Sequence, residues 1–206
     1  VIDLTVTDKA GDTGQDQVTL IVQNAAPIAE AGTDQALPQT AYTGALVTLD
    51  GSGSTDISST NAPQLNDDIA TYDWQVNGSS IGQGQTLQTT FAVGVHDVTL
   101  LITDSAGNTT TDTVQITITN VGPIANAGVD QTVTQTDATG STIMLDGSGS
   151  TDISSTNAPD NDNDIVSYVW SENGLSLGSG VALSHVFAVG VHEVTLTVTD
   201  TAGNTN

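Results

Sequence analysis

The residues best suited to chemistry are carboxylates and carboxamides bunched in two loops. One loop carries Asp56, Asn66, Asp67 and Asp68, the other Asp152, Asp160, Asp162, Asn163 and Asp164. The run DNDND is dense in hard oxygen donors, which calcium takes in sets of about six to eight. Carboxylates this close repel one another unless a cation sits between them. The plain alternative is a solvated, turn-rich loop, because Asp also starts turns and tolerates unusual backbone angles. The D-x-D-x-D-G-x-x-x-x-x-E spacing of a helix–loop–helix calcium site is absent.

Other residue types offer less. Trp74 and Trp170 have rings that could stack on sugars, yet both lie in a strand pattern where a packing role fits better, and Tyr72 and Tyr168 share their face by parity. His96 and His192 fall on the inward side of another strand pattern, which favours a structural, hydrogen-bonded role. His185 stands where the other copy has Thr89, and three scattered His do not make a zinc site. The carboxylates lack a partnered base, no G-x-S-x-G elbow occurs, and no Lys follows the Gly-rich GSGS turn. The expectation is that the chain is not an enzyme.

The elements that must hold these groups are set by a repeat. At an offset of 96 residues Pro27 recurs as Pro123, Trp74 as Trp170, Phe91 as Phe187 and Asp104 as Asp200. The block LDGSGSTDISSTNAP runs from Leu49 to Pro63 and returns unchanged from Leu145 to Pro159. VTDKAGD, at Val6 to Asp12, matches the later ITDSAGN and VTDTAGN. Residues 1–24 therefore read as the C-terminal strands of a preceding repeat, 25–120 as one repeat, and 121–206 as a repeat lacking its last strand. The piece without a counterpart corresponds to Thr111–Asn120. A window from a longer array would look this way. So would a subunit whose segment 16–24 completes the last repeat of an identical chain.

Within each repeat the periodicity is two. His96, Val98, Leu100 and Ile102 share one face, and Val114, Ile116 and Ile118 share another, with polar residues between. Residues Val18, Leu20 and Val22 repeat the pattern. Shorter strands are expected at Pro27–Ala31, Ala45–Asp50, Ile69–Val76, Ser80–Gly82 and Leu87–Phe91, punctuated by Gly, Asn and Asp. No helical stripe appears. About seven strands at this spacing, with a Trp on a central one, predict an immunoglobulin-like sandwich.

Composition agrees. There are 24 acids against one base, Lys9, for a formal charge of -23. That excess excludes the electrostatics of nucleic-acid binding and argues against an anionic membrane surface. Cysteine is absent, so disulfides, thiol catalysis and Cys-ligated metal are excluded. No segment is apolar for long enough to span a bilayer. The chain opens at Val1 within a strand pattern, so any leader would lie upstream.

The order P-I-A-x-A-G-x-D, L-D-G-S-G-S-T-D, D-I-x-x-Y-x-W and G-V-H-x-V-T-L-x-V-T-D-x-A-G-N-T resembles the PKD (polycystic kidney disease) domain. These stretches begin at Pro27, Leu49, Asp68 and Gly94, and again at Pro123, Leu145, Asp164 and Gly190. WQVNG at Trp74 and WSENG at Trp170 depart from the W-x-F-G-D-G segment frequent in the family. The resemblance implies an all-β chain of tandem immunoglobulin-like (PKD-type) antiparallel β-sandwiches arranged as a rod. It also implies a bacterial-type, secreted or cell-surface setting, and calcium near the loop after the second strand. In such a sandwich the amino terminus, that loop and the last hairpin share one end. Asn120, Asp152, Asp162, Asp164, Asp200 and Asn204 would meet there, with Asp56, Asp67 and Asp68 as the earlier counterparts. The expected role is a structural module of an extracellular adhesin or filament, stiffened by Ca²⁺ at its junctions. The expected partners are neighbouring repeats or identical chains, with an extracellular polysaccharide or protein as a further candidate. A polymer- or carbohydrate-binding accessory module of a secreted hydrolase is the alternative. It would need exposed aromatics, and Tyr42 is the one obvious loop aromatic, replaced by Ala138 in the other copy.

Overall fold

The computed structural model describes residues 1–57, 68–154 and 164–206. Asn66, Asp67, Asp160, Asp162 and Asn163 lie outside the described residues. Among the described residues fourteen strands form, in the order β1 (Ile2–Thr7), β2 (Thr13–Val18), β3 (Gln35–Pro38), β4 (Ala45–Asp50), β5 (Ile69–Val76), β6 (Ser79–Gln83) and β7 (Thr86–Phe91). They continue as β8 (Gly94–Asp104), β9 (Thr109–Thr119), β10 (Ser141–Asp146), β11 (Ile165–Glu172), β12 (Leu175–Ser179), β13 (Ala182–Phe187) and β14 (Val194–Asp200). Among the described residues no helix is long and apolar enough to cross a membrane.

The first repeat is a two-sheet sandwich. One sheet has the order β3-β9-β8-β5-β6 and the other is the pair β4-β7. Strand β4 buries alternate residues, Ala45, Val47 and Leu49. They pack with Phe91 against Trp74, Val98, Leu100, Ile102, Val114, Ile116 and Ile118 of the larger sheet. Period-two burial on both facing surfaces is what a sandwich core requires. The second repeat rebuilds it with β12-β11-β14 opposite β10-β13, around Leu145, Trp170, Phe187, Leu196 and Val198. The fold is thus all-β and immunoglobulin-like.

Two turns show how local sequence fixes this frame. Val76 pairs with Ser79 across a two-residue loop, in which Asn77 (φ 51°) and Gly78 (φ 75°) are both left-handed. Asn-Gly is the pair that tolerates such a tight hairpin. Gly44 has φ 110°, and a Cβ there would meet the Phe91 carbonyl oxygen at 1.8 Å. The chain can therefore turn into β4 only with glycine at this position.

Three expectations are corrected. Pro27–Ala31 is not a strand; its one ladder contact is the bridge between Ile28 and Thr55, because the Glu30 and Ala31 N–H groups donate instead to the side chains of Ser54 and Asp112. Conversely, Gln35–Pro38 is a strand, pairing in parallel with Ile116–Thr119 of β9, so the larger sheet is mixed and not purely antiparallel. Near the amino terminus the second strand is Thr13–Val18 instead of 16–24. Val18, which closes β2, is exposed and not inward, as are Leu20 and Val22, which lie beyond that strand.

Candidate functional site

One end of each sandwich brings together the end of β8 or β14 and the start of β5 or β11. In the second repeat this brings Asp152, Asp164 and Asp200 together, with one carboxylate oxygen of each within 4.8 Å of the others. Asp200 closes β14, Asp164 immediately precedes β11, and Asp152 follows the GSGST turn after β10. Asp152 and Asp200 are buried, at 6% and 1% exposure. Both carboxylate oxygens of Asp152 are buried without a hydrogen-bond partner. Burial first, then the neighbouring Asp164 carboxylate and the charge of Asp200, push the Asp152 carboxyl up to about 7.

The surrounding donors hold the other two carboxylates. The Asn204 N–H donates to Asp200 Oδ1 at 2.7 Å, and Asn204 Nδ2 donates to Asp200 Oδ2 at 2.8 Å. Thr201 Oγ1 donates to Asp164 Oδ2 at 2.7 Å. Asn120, the last residue of the first repeat, donates from Nδ2 to Asp200 Oδ2 at 2.6 Å. Its Oδ1 is buried with no partner. The site therefore straddles the junction, with three carboxylates from one repeat and a carboxamide from the repeat before. This is a hard, all-oxygen donor set that suits Ca²⁺ or Mg²⁺ and not a soft metal. A turn of the Asn120 amide would present Oδ1 as a fourth protein oxygen.

Sequence reasoning named Asn120, Asp152 and Asp164 as ligands, and the structure places all three here. Asp200 belongs with them, at the end where sandwich topology alone puts it. Their first-repeat counterparts Asp56, Asp68 and Asp104 are each buried, at 5%, 6% and 2% exposure. Asn24 Nδ2 donates to Asp104 Oδ2 at 3.3 Å, and Ser105 Oγ donates to Asp68. Among the described residues, however, only the second-repeat trio draws within 4.8 Å.

The remaining candidates have structural surroundings. Trp74 and Trp170 are fully buried, and their Nε1 groups donate to the Gly84 and Gly180 carbonyls at 3.0 and 2.9 Å. His96 Nε2 lies 2.9 Å from the Ala92 carbonyl. His192 pairs through Nδ1 with Glu172 at 2.7 Å and through Nε2 with the Ala188 carbonyl at 2.9 Å. These two contacts hold the His192 imidazole above its usual pKa.

The fold defines an immunoglobulin-like β-sandwich protein whose acidic site sits at a repeat junction. Proteins similar to it in sequence include mammalian ones. The chain is 31% identical over 97% of its length to "Dyslexia-associated protein KIAA0319" of Homo sapiens, of which it covers 19%. It is 32% identical over 97% of its length to the Rattus norvegicus homolog, of which it covers 18%. The chain thus spans less than a fifth of the curated relatives it matches. No family model matches the sequence. Among solved structures, the chain is similar to the PKD domain from KIAA 1837 protein, at 23% identity over 48% of this chain and 91% of that one, with a TM-score of 0.34. It is also similar to the PKD1 domain of Vibrio anguillarum Epp, at 26% identity over 47% of this chain and 99% of that one, with a TM-score of 0.30.

Proposed function

We propose that the chain is a structural repeat module of an extracellular adhesin or filament, without catalytic activity, whose junctions are stiffened by calcium. The observation that carries the reading is Asp152. A buried carboxylate with neither oxygen hydrogen-bonded, beside two further carboxylates, is costly alone and favourable around a divalent cation. Asp152, Asp164, Asp200 and Asn120 would hold the ion, which would cross-link one repeat to the next. Repetition and high negative charge suit an extended rod, to which each repeat would add ~35 Å at about 3.3 Å per strand residue. The accessory-module alternative is weakened, because both Trp rings are buried and offer no stacking surface. Isothermal titration with calcium is expected to show a site that Asp152→Asn abolishes. A flat titration of the parent chain would refute the calcium reading.

A further inference from the structure

One sequence, LDGSGSTDISSTNAP, occurs in two settings, and its acidic residues behave differently in each. Asp152 is drawn into a trio with Asp164 and Asp200, whereas Asp56, Asp68 and Asp104 are not gathered to the same separation among the described residues. The amide contact to the last carboxylate differs in the same sense. Asn120 lies 2.6 Å from Asp200, and Asn24 lies 3.3 Å from Asp104.

The setting of the second copy includes a side chain from the first repeat. Gln39 follows directly on β3 and is 2% exposed. Its N–H donates to the Thr119 carbonyl at 2.9 Å, which fixes it beside Asn120 at the end of the larger sheet. From there its Nε2 crosses the junction and donates to the carbonyls of Ile153 and Ser154, at 3.0 and 3.2 Å. These are the two residues after Asp152. The Oε1 of Gln39 is buried without a partner, so the inter-repeat bonds are what its carboxamide gains from this position. Gln135, its counterpart one repeat later, instead turns back on its own loop and donates to the Asp137 carbonyl at 3.0 Å. The Gln side chain thus has two uses, an internal one and one that grips the following repeat.

We propose that the acidic site of a repeat is set by the repeat before it, with Gln39 as the positioning residue that couples inter-repeat docking to cation binding. Gln39 acts on one side of the site by fixing the backbone that carries Asp152. Asn120 acts on the other by holding Asp200. The proposal rests on the cation reading above and adds its regulation. A repeat lacking its predecessor would bind the ion weakly, and by linkage the ion would strengthen the docking by the same factor by which docking strengthens the affinity. An array would then take up cation and stiffen junction by junction.

The test uses residues 1–206 and calcium itself. Gln39→Met keeps the length and packing of the side chain but removes both donors, and Gln39→Asn keeps the amide on a shorter arm. Two neutral hydrogen bonds to a loop next to a ligand are expected to be worth about tenfold in affinity. Titration calorimetry should therefore show calcium bound about tenfold more weakly by both variants, with melting in chelator unchanged. Residual dipolar couplings should show calcium fixing residues 121–206 relative to 25–120 in the parent and less so in Gln39→Met. Equal affinity in parent and variants, with equal ordering, would overturn the coupling and leave the cation reading intact. A parent chain that binds no calcium would overturn both. A variant that melts early in chelator as well as binding weakly would assign Gln39 to stability alone and overturn the coupling.

Discussion

Trp74→Ala is expected to destabilise the first repeat by about 3–5 kcal/mol. The ring is fully buried, on the β5 residue that pairs in the ladder with Gly82 of β6 and Leu100 of β8, and its Nε1 donates to the Gly84 carbonyl. Phe91 and Tyr72 already pack in the same core, so either ring could enter the cavity only by opening another behind it. Against a total stability of about 5–15 kcal/mol for a domain, the loss leaves the repeat marginal. Trp170→Ala removes the same hydrogen bond and the same volume, but from a smaller core. There Leu145, Phe187 and Leu196 remain 9%, 8% and 5% exposed, whereas Leu49 and Leu100 are fully buried. The second repeat is therefore expected to unfold outright. Urea unfolding followed by circular dichroism measures both effects. Trp74→Phe, which keeps a ring and loses the donor, should fall between the parent and Trp74→Ala. A shift below about 1 kcal/mol for Trp74→Ala would place the ring outside the core and reopen the reading of Trp as a ligand platform.

Much of this frame was legible because its signals are local. Ala45–Asp50 and Ile69–Val76 coincide with β4 and β5, since alternation and Gly/Asn punctuation are written in neighbouring residues. The trio was half legible. Asp152 and Asp164 share one loop, and sandwich topology brings the distant Asp200, at the end of β14, to the same place. What stayed hidden depends on distant partners. The strand Gln35–Pro38 has a Pro and little β-branching, and it exists because β9 runs alongside it about 80 residues later. Gln39 carries no chemical signal at all, because a neutral amide after a proline acquires a role only when another repeat is docked on it. The difference between Asp56 and Asp152 could not be read from their own segments, since each sits in the same fifteen-residue block. The exposure of Leu20 and Val22 was hidden for a related reason. Alternation shows which side of a strand is apolar, and not whether anything covers it.

Without cation, the second repeat is expected to lose stability as pH rises from 4 to 7, through Asp152. Its carboxyl is held at about 7 in the folded chain, against an ordinary 3.8. Between those values the folded state keeps a proton that the unfolded state releases, so raising the pH favours unfolding. The contribution is present in full below the lower value and gone above the upper one. At about 1.4 kcal/mol per pH unit it amounts to at most about 4 kcal/mol. Calcium is expected to reverse this trend. It competes with the proton for the same oxygens, and at a hundred times its dissociation constant it adds about 2.7 kcal/mol. Carboxylates such as Asp50 and Asp146, held low by the N–H groups and hydroxyls of Ser52 and Ser148, push the dependence the other way. The informative quantity is therefore the difference between the parent and Asp152→Asn, melted at pH 4, 5.5, 7 and 8 with and without calcium. Asp152→Asn should be flatter across the window and insensitive to the ion, because a carboxamide neither titrates nor completes the charge of the site. If the two chains showed the same slope and the same response to calcium, the proton and the ion would have to sit elsewhere, and the junction would be held by its amides alone.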